Sequence, residues 1–193
     1  MSEEKCGCGR ERGVDRRDAL SLLTGVGGLA FGAAPALAKA VKSPQLPEDE
    51  GFMRLAIEEA AKGDFPFGAL IVREGKVAAT GRNLGVANND PTAHGEMMAI
   101  RHFVAEHPAK ELKGATLYTS GEPCPMCMSA IIWCGMGRVV YAASIEQLSK
   151  RLGQIMLTSR AVAEHTPFLT VAITGGVLAS EALALFDKIK PSP

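Results

Sequence analysis

Apolar and polar positions alternate along this chain in two distinct rhythms. From Glu48 to Lys62, Phe52, Leu55, Ala56 and Ile57, followed by Ala60, recur at the spacing of one helical face, and Gly63-Asp64 ends the run. Phe67–Val72 is a short apolar run, Glu74-Gly75 a turn, and Lys76–Gly81 a second run, which together predict a hairpin. The turn formers Asn88-Asn89-Asp90-Pro91 lead into a predicted helix from near Thr92 to about Glu106. Ala115–Ser120 reads as a strand, Pro123 opens a helix that stops near Gly135, and Arg138–Ala142 is the next strand. Residues 144–166 are ambiguous, helical in parts, before a strand at Phe168–Thr174 and an amphipathic helix at Ser180–Ile189. Strands alternating with helices predict an α/β sheet covered on both faces. The opening hairpin makes that sheet mixed rather than all-parallel.

Composition leaves this picture intact. A chain of 193 residues with 47% hydrophobic and 22% charged residues is ordinary for one globular domain. Formal net charge is zero, and residues 41–193 carry 15 basic and 16 acidic side chains. That balance argues against a nucleic-acid partner, because nothing in it attracts phosphate over long range.

The first 40 residues stand apart. Arg16-Arg17 precede an uncharged run from Ala19 to Ala38 that is diluted by Gly25, Gly27, Gly28 and Gly32. Ala36-Leu37-Ala38 and Ala38-Lys39-Ala40 each fit a small-residue cleavage site. The layout resembles a twin-arginine leader, which implies dealings with the twin-arginine export machinery and a periplasmic mature chain not held in a membrane. Residues 1–40 are thus expected as a cleavable leader, 41–47 as a linker with Pro44 and Pro47, and 48–193 as the functional domain.

Five cysteines divide into Cys6 and Cys8 in the leader and Cys124, Cys127 and Cys134 in the body. An odd body count containing a C-x-x-C points to metal rather than to disulfides. His94-Gly95-Glu96 and Pro123-Cys124-Pro125-Met126-Cys127 each stand at the start of a predicted helix. Two cysteines three apart can face one ion from a first helical turn, where the helix N-terminus favours thiolates. His94 adds a third ligand that zinc accepts alongside sulfur, and three protein ligands leave one tetrahedral position open, the catalytic pattern. One zinc ion per chain is therefore expected on His94, Cys124 and Cys127. Such a site lowers the pKa of water towards about 7. Glu96, beside the metal, is then the candidate to take the water's proton and return it to a ring nitrogen and departing amine. A purely structural zinc site would want a fourth ligand, and His102, His107, His165 and Cys134 show no matching spacing.

H-x-E with P-C-x-x-C is the signature of zinc nucleobase deaminases. Pro66-Phe67-Gly68-Ala69, Gly81-Arg82-Asn83, Asn89-Asp90-Pro91-Thr92-Ala93-His94 and Glu122-Pro123-Cys124-Pro125-Met126-Cys127 follow in the same order. The chain from about Asp49 onward resembles the cytidine deaminase-like superfamily, in the branch of guanine, tRNA adenosine and cytosine deaminases. The resemblance implies a three-layer α/β/α domain around a five-stranded mixed sheet, and a homodimer. Phe67-Gly68-Ala69 and Trp133 are most similar to guanine deaminases. By that analogy Asn83 hydrogen-bonds the base, Phe67 and Trp133 line the pocket, and the Gly95 amide contacts the ring. Core packing is the competing role for Phe67 and Trp133. Two departures stand out: Arg151-Leu152-Gly153-Gln154-Ile155-Met156 holds no carboxylate where guanine deaminases carry one, and the chain ends Lys190-Pro191-Ser192-Pro193 without an aromatic residue.

Hydrolytic deamination of a small nucleobase-like molecule, guanine favoured, is the leading expectation. Cytosine, a nucleoside or another aminated heterocycle such as a triazine keeps the chemistry and changes the ring. A tRNA adenosine deaminase and a non-catalytic zinc-binding module are the further alternatives.

Overall fold

A computed structural model describes residues 40–188; the leader expectation for residues 1–40 falls almost wholly outside them. No helix among the described residues is long and apolar enough to cross a membrane.

Six strands and six α-helices follow one another among the described residues: β1 (Val41–Lys42), α1 (Asp49–Ala60), β2 (Gly68–Arg73), β3 (Lys76–Arg82), α2 (Gly95–Glu106), β4 (Thr116–Gly121), α3 (Pro125–Trp133), β5 (Arg138–Ala143), α4 (Ile145–Leu148), α5 (Ser159–Glu164), β6 (Ala172–Gly175) and α6 (Ala179–Phe186). The strands form one mixed sheet in the order β1-β6-β5-β4-β2-β3. β2 runs antiparallel to both β3 and β4, while β4, β5, β6 and β1 are mutually parallel. The hairpin turns through Glu74 and Gly75, both at positive φ (50° and 72°), the backbone that a tight two-residue hairpin requires.

The sheet is covered on both faces, as expected, and the side-chain alternation of its strands divides the core in two. Ile71, Leu117 and Val139 point to one face, against Phe103 of α2, Met128 and Ile131 of α3, and Ala163 of α5. Leu70, Val72, Tyr118 and Val140 point to the other, against Met53 and Ala56 of α1 and Phe186 of α6.

Three expectations are corrected. The sheet has six strands rather than five, because Val41–Lys42, expected as linker, pairs with Ala172–Ile173. The last strand begins at Ala172, since only there does the chain come into register with β5. The buried stripe of α1 is Asp49, Met53, Ala56 and Ala60, and Leu55 is 41% exposed. That rotation follows from Asp49, whose fully buried carboxylate accepts hydrogen bonds from Tyr118 Oη (2.9 Å), two Arg138 nitrogens (2.7 Å each) and the Leu46 amide (2.7 Å). A carboxylate partnered by four donors turns the helix more firmly than one leucine does.

Candidate metal centre and active site

The site assembles where β4 ends. Beyond its last residue the chain passes through Glu122 and Pro123 to Cys124, the N-cap of α3, with Pro125 as the first helical residue and Cys127 two further on. Proline suits that first position, where the backbone N–H has no intrahelical partner. Opposite, His94 is the N-cap of α2, with Gly95 and Glu96 in its first turn. Two helix N-termini thus converge, and both favour negative charge between them.

The geometry brings the expected ligands together. The ligand atoms of His94, Cys124 and Cys127 all lie within 4.8 Å of one another. His94 Nδ1 stands 3.7 Å from Cys124 Sγ and 3.5 Å from Cys127 Sγ. The hydrogen bond from Cys127, with help from His94, pulls the Cys124 thiol down to about 4, so that it is a thiolate at neutral pH. The same neighbouring sulfur, together with burial, pushes Cys127 up. The bond to Cys124 raises His94. One thiolate, a second sulfur and an imidazole nitrogen at these separations form a donor set that fits zinc.

Glu96 is 3% exposed, and burial raises its carboxyl above the ordinary range. Its place in the first turn of α2, two residues after His94, sets it beside the ligand cluster, where the charge of Cys124 raises it further and that of His94 lowers it.

A cavity of about 550 Å³ opens onto this cluster. His94 and Cys124 form part of its wall; Cys127 and Glu96 lie buried behind it. Phe67 and Asn83, both expected there, line it. The Phe67 ring lies nearly parallel to the His94 imidazole, with centroids 6.5 Å apart and planes 7° apart. Space for that ring comes from Gly121, where an added Cβ would meet Phe67 at 2.9 Å. The loop before β2 is held by Ser120, whose hydroxyl donates to the Pro66 carbonyl (3.0 Å) and accepts from the Gly68 amide (3.0 Å). Asn83 Oδ1 accepts the Gly85 amide at 3.2 Å, which leaves the side-chain NH₂ as its free group. Asn83 is thus a turn residue and a wall residue at once.

Two expected residues are placed differently. Gly95 does not line the cavity; it is glycine because a Cβ would stand 2.7 Å from the Phe67 carbonyl oxygen. Its N–H, at the first position of α2, has no intrahelical partner. Trp133 lies outside the cavity wall altogether. It is the last residue of α3, 77% exposed, and its ring sits 5.1 Å from that of Phe168. The helix carries it away because Cys127 and Ile131 already claim the inward face.

Sequence reasoning did not place Glu122 in the wall, nor Phe65, Val86, Asn89 or Pro91. Glu122 stands directly before the Pro123–Cys127 motif, its proximity to Cys124 the only signal; Leu152–Ile155, also in the wall, belongs to the segment 151–156 that the resemblance to guanine deaminases singles out.

The comparisons agree with this geometry. Residues 46–143 match the family model of the cytidine and deoxycytidylate deaminase zinc-binding region. The chain is 44% identical over 99 residues to a guanine deaminase of Bacillus subtilis, a match covering 49% of this chain and 64% of that one. It is 35% identical over 138 residues to a tRNA-specific adenosine deaminase of Haemophilus influenzae, covering 69% and 78%. A solved structure of guanine deaminase from Nitrosomonas europaea superimposes with a TM-score of 0.61 at 25% identity, over 83% of this chain and 95% of that one. With its family region matched over half its length around a His/Cys/Cys cluster, the chain belongs to the cytidine and deoxycytidylate deaminase family, the zinc-binding hydrolases that act on amine C–N bonds.

Proposed function

We propose that this protein deaminates a free nucleobase, guanine in preference to others, releasing ammonia and the oxo product. The observation that carries the reading is the cavity: it opens onto the metal ligands, with Glu96 buried beside them, and among the described residues no lysine or arginine stands in its wall. A largely apolar wall without cations suits a flat uncharged ring and offers nothing to a phosphate.

His94, Cys124 and Cys127 would hold the zinc, which would make a water nucleophilic at neutral pH. Phe67 offers a flat apolar face to the ring, and the Asn83 NH₂ donates to a ring acceptor. Glu96 carries two protons in turn: one from the attacking water to the ring nitrogen, and the second, from the hydroxyl left on the ring carbon, to the amine, which departs as ammonia as the C–N bond breaks and the C=O forms. Its burial keeps bulk water from competing for those protons.

A tRNA substrate is the second reading, favoured by the similarity to the Haemophilus influenzae enzyme. It calls for cations around the cavity mouth, and the wall supplies none. We extend the proposal to a homodimer, supported by the exposed apolar pair Trp133 and Phe168 (77% and 59%), and to export of the mature chain through its twin-arginine-type leader.

The deciding experiment measures ammonia release by the zinc-loaded protein from guanine, adenine, cytosine, their nucleosides, ammeline and a tRNA anticodon stem. Guanine is expected to turn over fastest. Turnover of the RNA alone, or of no free base with zinc bound, overturns the free-base reading.

A further inference from the structure

The segment between α4 and α5 carries one part of the cavity wall, Leu152 to Ile155, and it contains neither helix nor strand from Lys150 to Thr158. The stretch that contains it, from Ile145 at the start of α4 to Ser159 at the start of α5, hangs at both ends on a single side chain. Glu122 Oε2 accepts the amide of Ile145 at 2.9 Å, and Oε1 accepts the amide (3.0 Å) and hydroxyl (2.8 Å) of Ser159. Ile145 and Ser159 are the first residues of α4 and α5, where backbone N–H groups have no partner within the helix. Each helix already has its own cap, Ser144 with Gln147 for α4 and Thr158 for α5, so the carboxylate is not needed to start either one. Its effect is to hold the two starts together. Glu122 is 6% exposed, and among the described residues its oxygens have no ion pair with a lysine or arginine. The other strong tie on this segment, Arg151 to Asp187 at 2.6 Å, lies at the surface.

We infer that Glu122 is a positioning residue: its carboxylate clips residues 145 and 159 to the end of β4, two residues before Cys124, and so holds the Leu152–Ile155 wall at a set distance from the metal ligands. A loop closed at both ends by buried bonds to one group loses most of its freedom, much as a cross-link would restrict it. The wall is then ordered before the substrate arrives, and binding does not have to supply that ordering. The consequence for substrate affinity rests on the cavity being the substrate site, as proposed above; the clip itself does not.

Glu122→Gln tests it in the full zinc-loaded protein. The amide oxygen can still accept from Ser159, but the amide nitrogen turns a donor towards the Ile145 N–H, so that end is released. Hydrogen exchange of peptides covering residues 145–159 is expected to quicken about tenfold, with zinc content unchanged. KM for the base is expected to rise about tenfold while kcat stays within about threefold. Ser159→Ala, which removes one donor and leaves the carboxylate, moves both readouts the same way by less, and it carries the test if Glu122→Gln fails to fold. The two changes combined are expected to be less than additive. Unchanged exchange across 145–159 with ordinary turnover overturns the clip and leaves the substrate reading standing. Faster exchange in a protein whose parent turns over no base upholds the clip and overturns its role in substrate binding.

Discussion

His94 Nδ1 lies 3.5 Å from Cys127 Sγ, across 33 residues of sequence. The contact joins the first turns of α2 and α3, whose N-termini both face the site. Cys127 is fully buried, so its sulfur has no solvent to fall back on when the ion is lost.

Removing that sulfur should therefore remove the metal. Cys127→Ser is expected to lower zinc from about one ion per chain to below about a tenth, because a serine hydroxyl is not deprotonated as a thiolate is. Elemental analysis of the purified protein reads the content. A variant that keeps a full equivalent of zinc sinks the ligand assignment.

Glu96→Gln separates chemistry from metal binding. The carboxamide fills the same buried space but cannot carry a proton back and forth. A fall in kcat of roughly 10²–10⁴ is expected with zinc retained. Unchanged kcat would show that some other group moves the proton.

Asn83→Ala removes the free donor from the wall and also the acceptor for the Gly85 amide. Loss of a hydrogen bond to the substrate is expected to lower kcat/KM by about 10–100-fold, roughly 1.4–2.8 kcal/mol. Steady-state kinetics with the preferred base check it. An effect below twofold would leave Asn83 as a turn residue alone.

Asp49 links stability to pH. Burial alone would raise its carboxyl, but the bonds from Arg138, Leu46 and Tyr118 outweigh it and hold the group below its ordinary value. The sign follows: the stabilisation is fully present above the unfolded value of about 4 and is lost as pH falls through the lower folded one. Asp49→Asn leaves Arg138 without its counter-charge in a largely enclosed position and is expected to cost about 3–5 kcal/mol at pH 7. It should also flatten the acid limb of the stability curve. Urea denaturation at several pH values measures both; parallel curves for parent and variant would refute the linkage.

Trp133 is the sole tryptophan, which makes the assembly simple to probe. Trp133→Glu is expected to turn the proposed homodimer into a monomer by sedimentation equilibrium, without loss of zinc. A parent protein that sediments as a monomer at tens of micromolar rules the dimer out.

What could be read from the chain alone was whatever local spacing dictates. Two cysteines three apart at a helix start face one ion because of the helical repeat, and a histidine two residues before a glutamate places both in one first turn. The alternation of strands and helices likewise led to a mixed sheet between helical layers. What the tertiary structure decided depends on partners distant in sequence. Asp49 meets Arg138 across 89 positions, which turns α1 away from the face its leucine suggested. Val41–Lys42 becomes a strand only because β6 lies beside it. Trp133 points outward because the inward face of its helix is filled, and Glu122 reaches 23 positions to Ile145 and 37 to Ser159. No local pattern encodes such pairings, since they depend on the order of the strands, which the whole sheet selects at once.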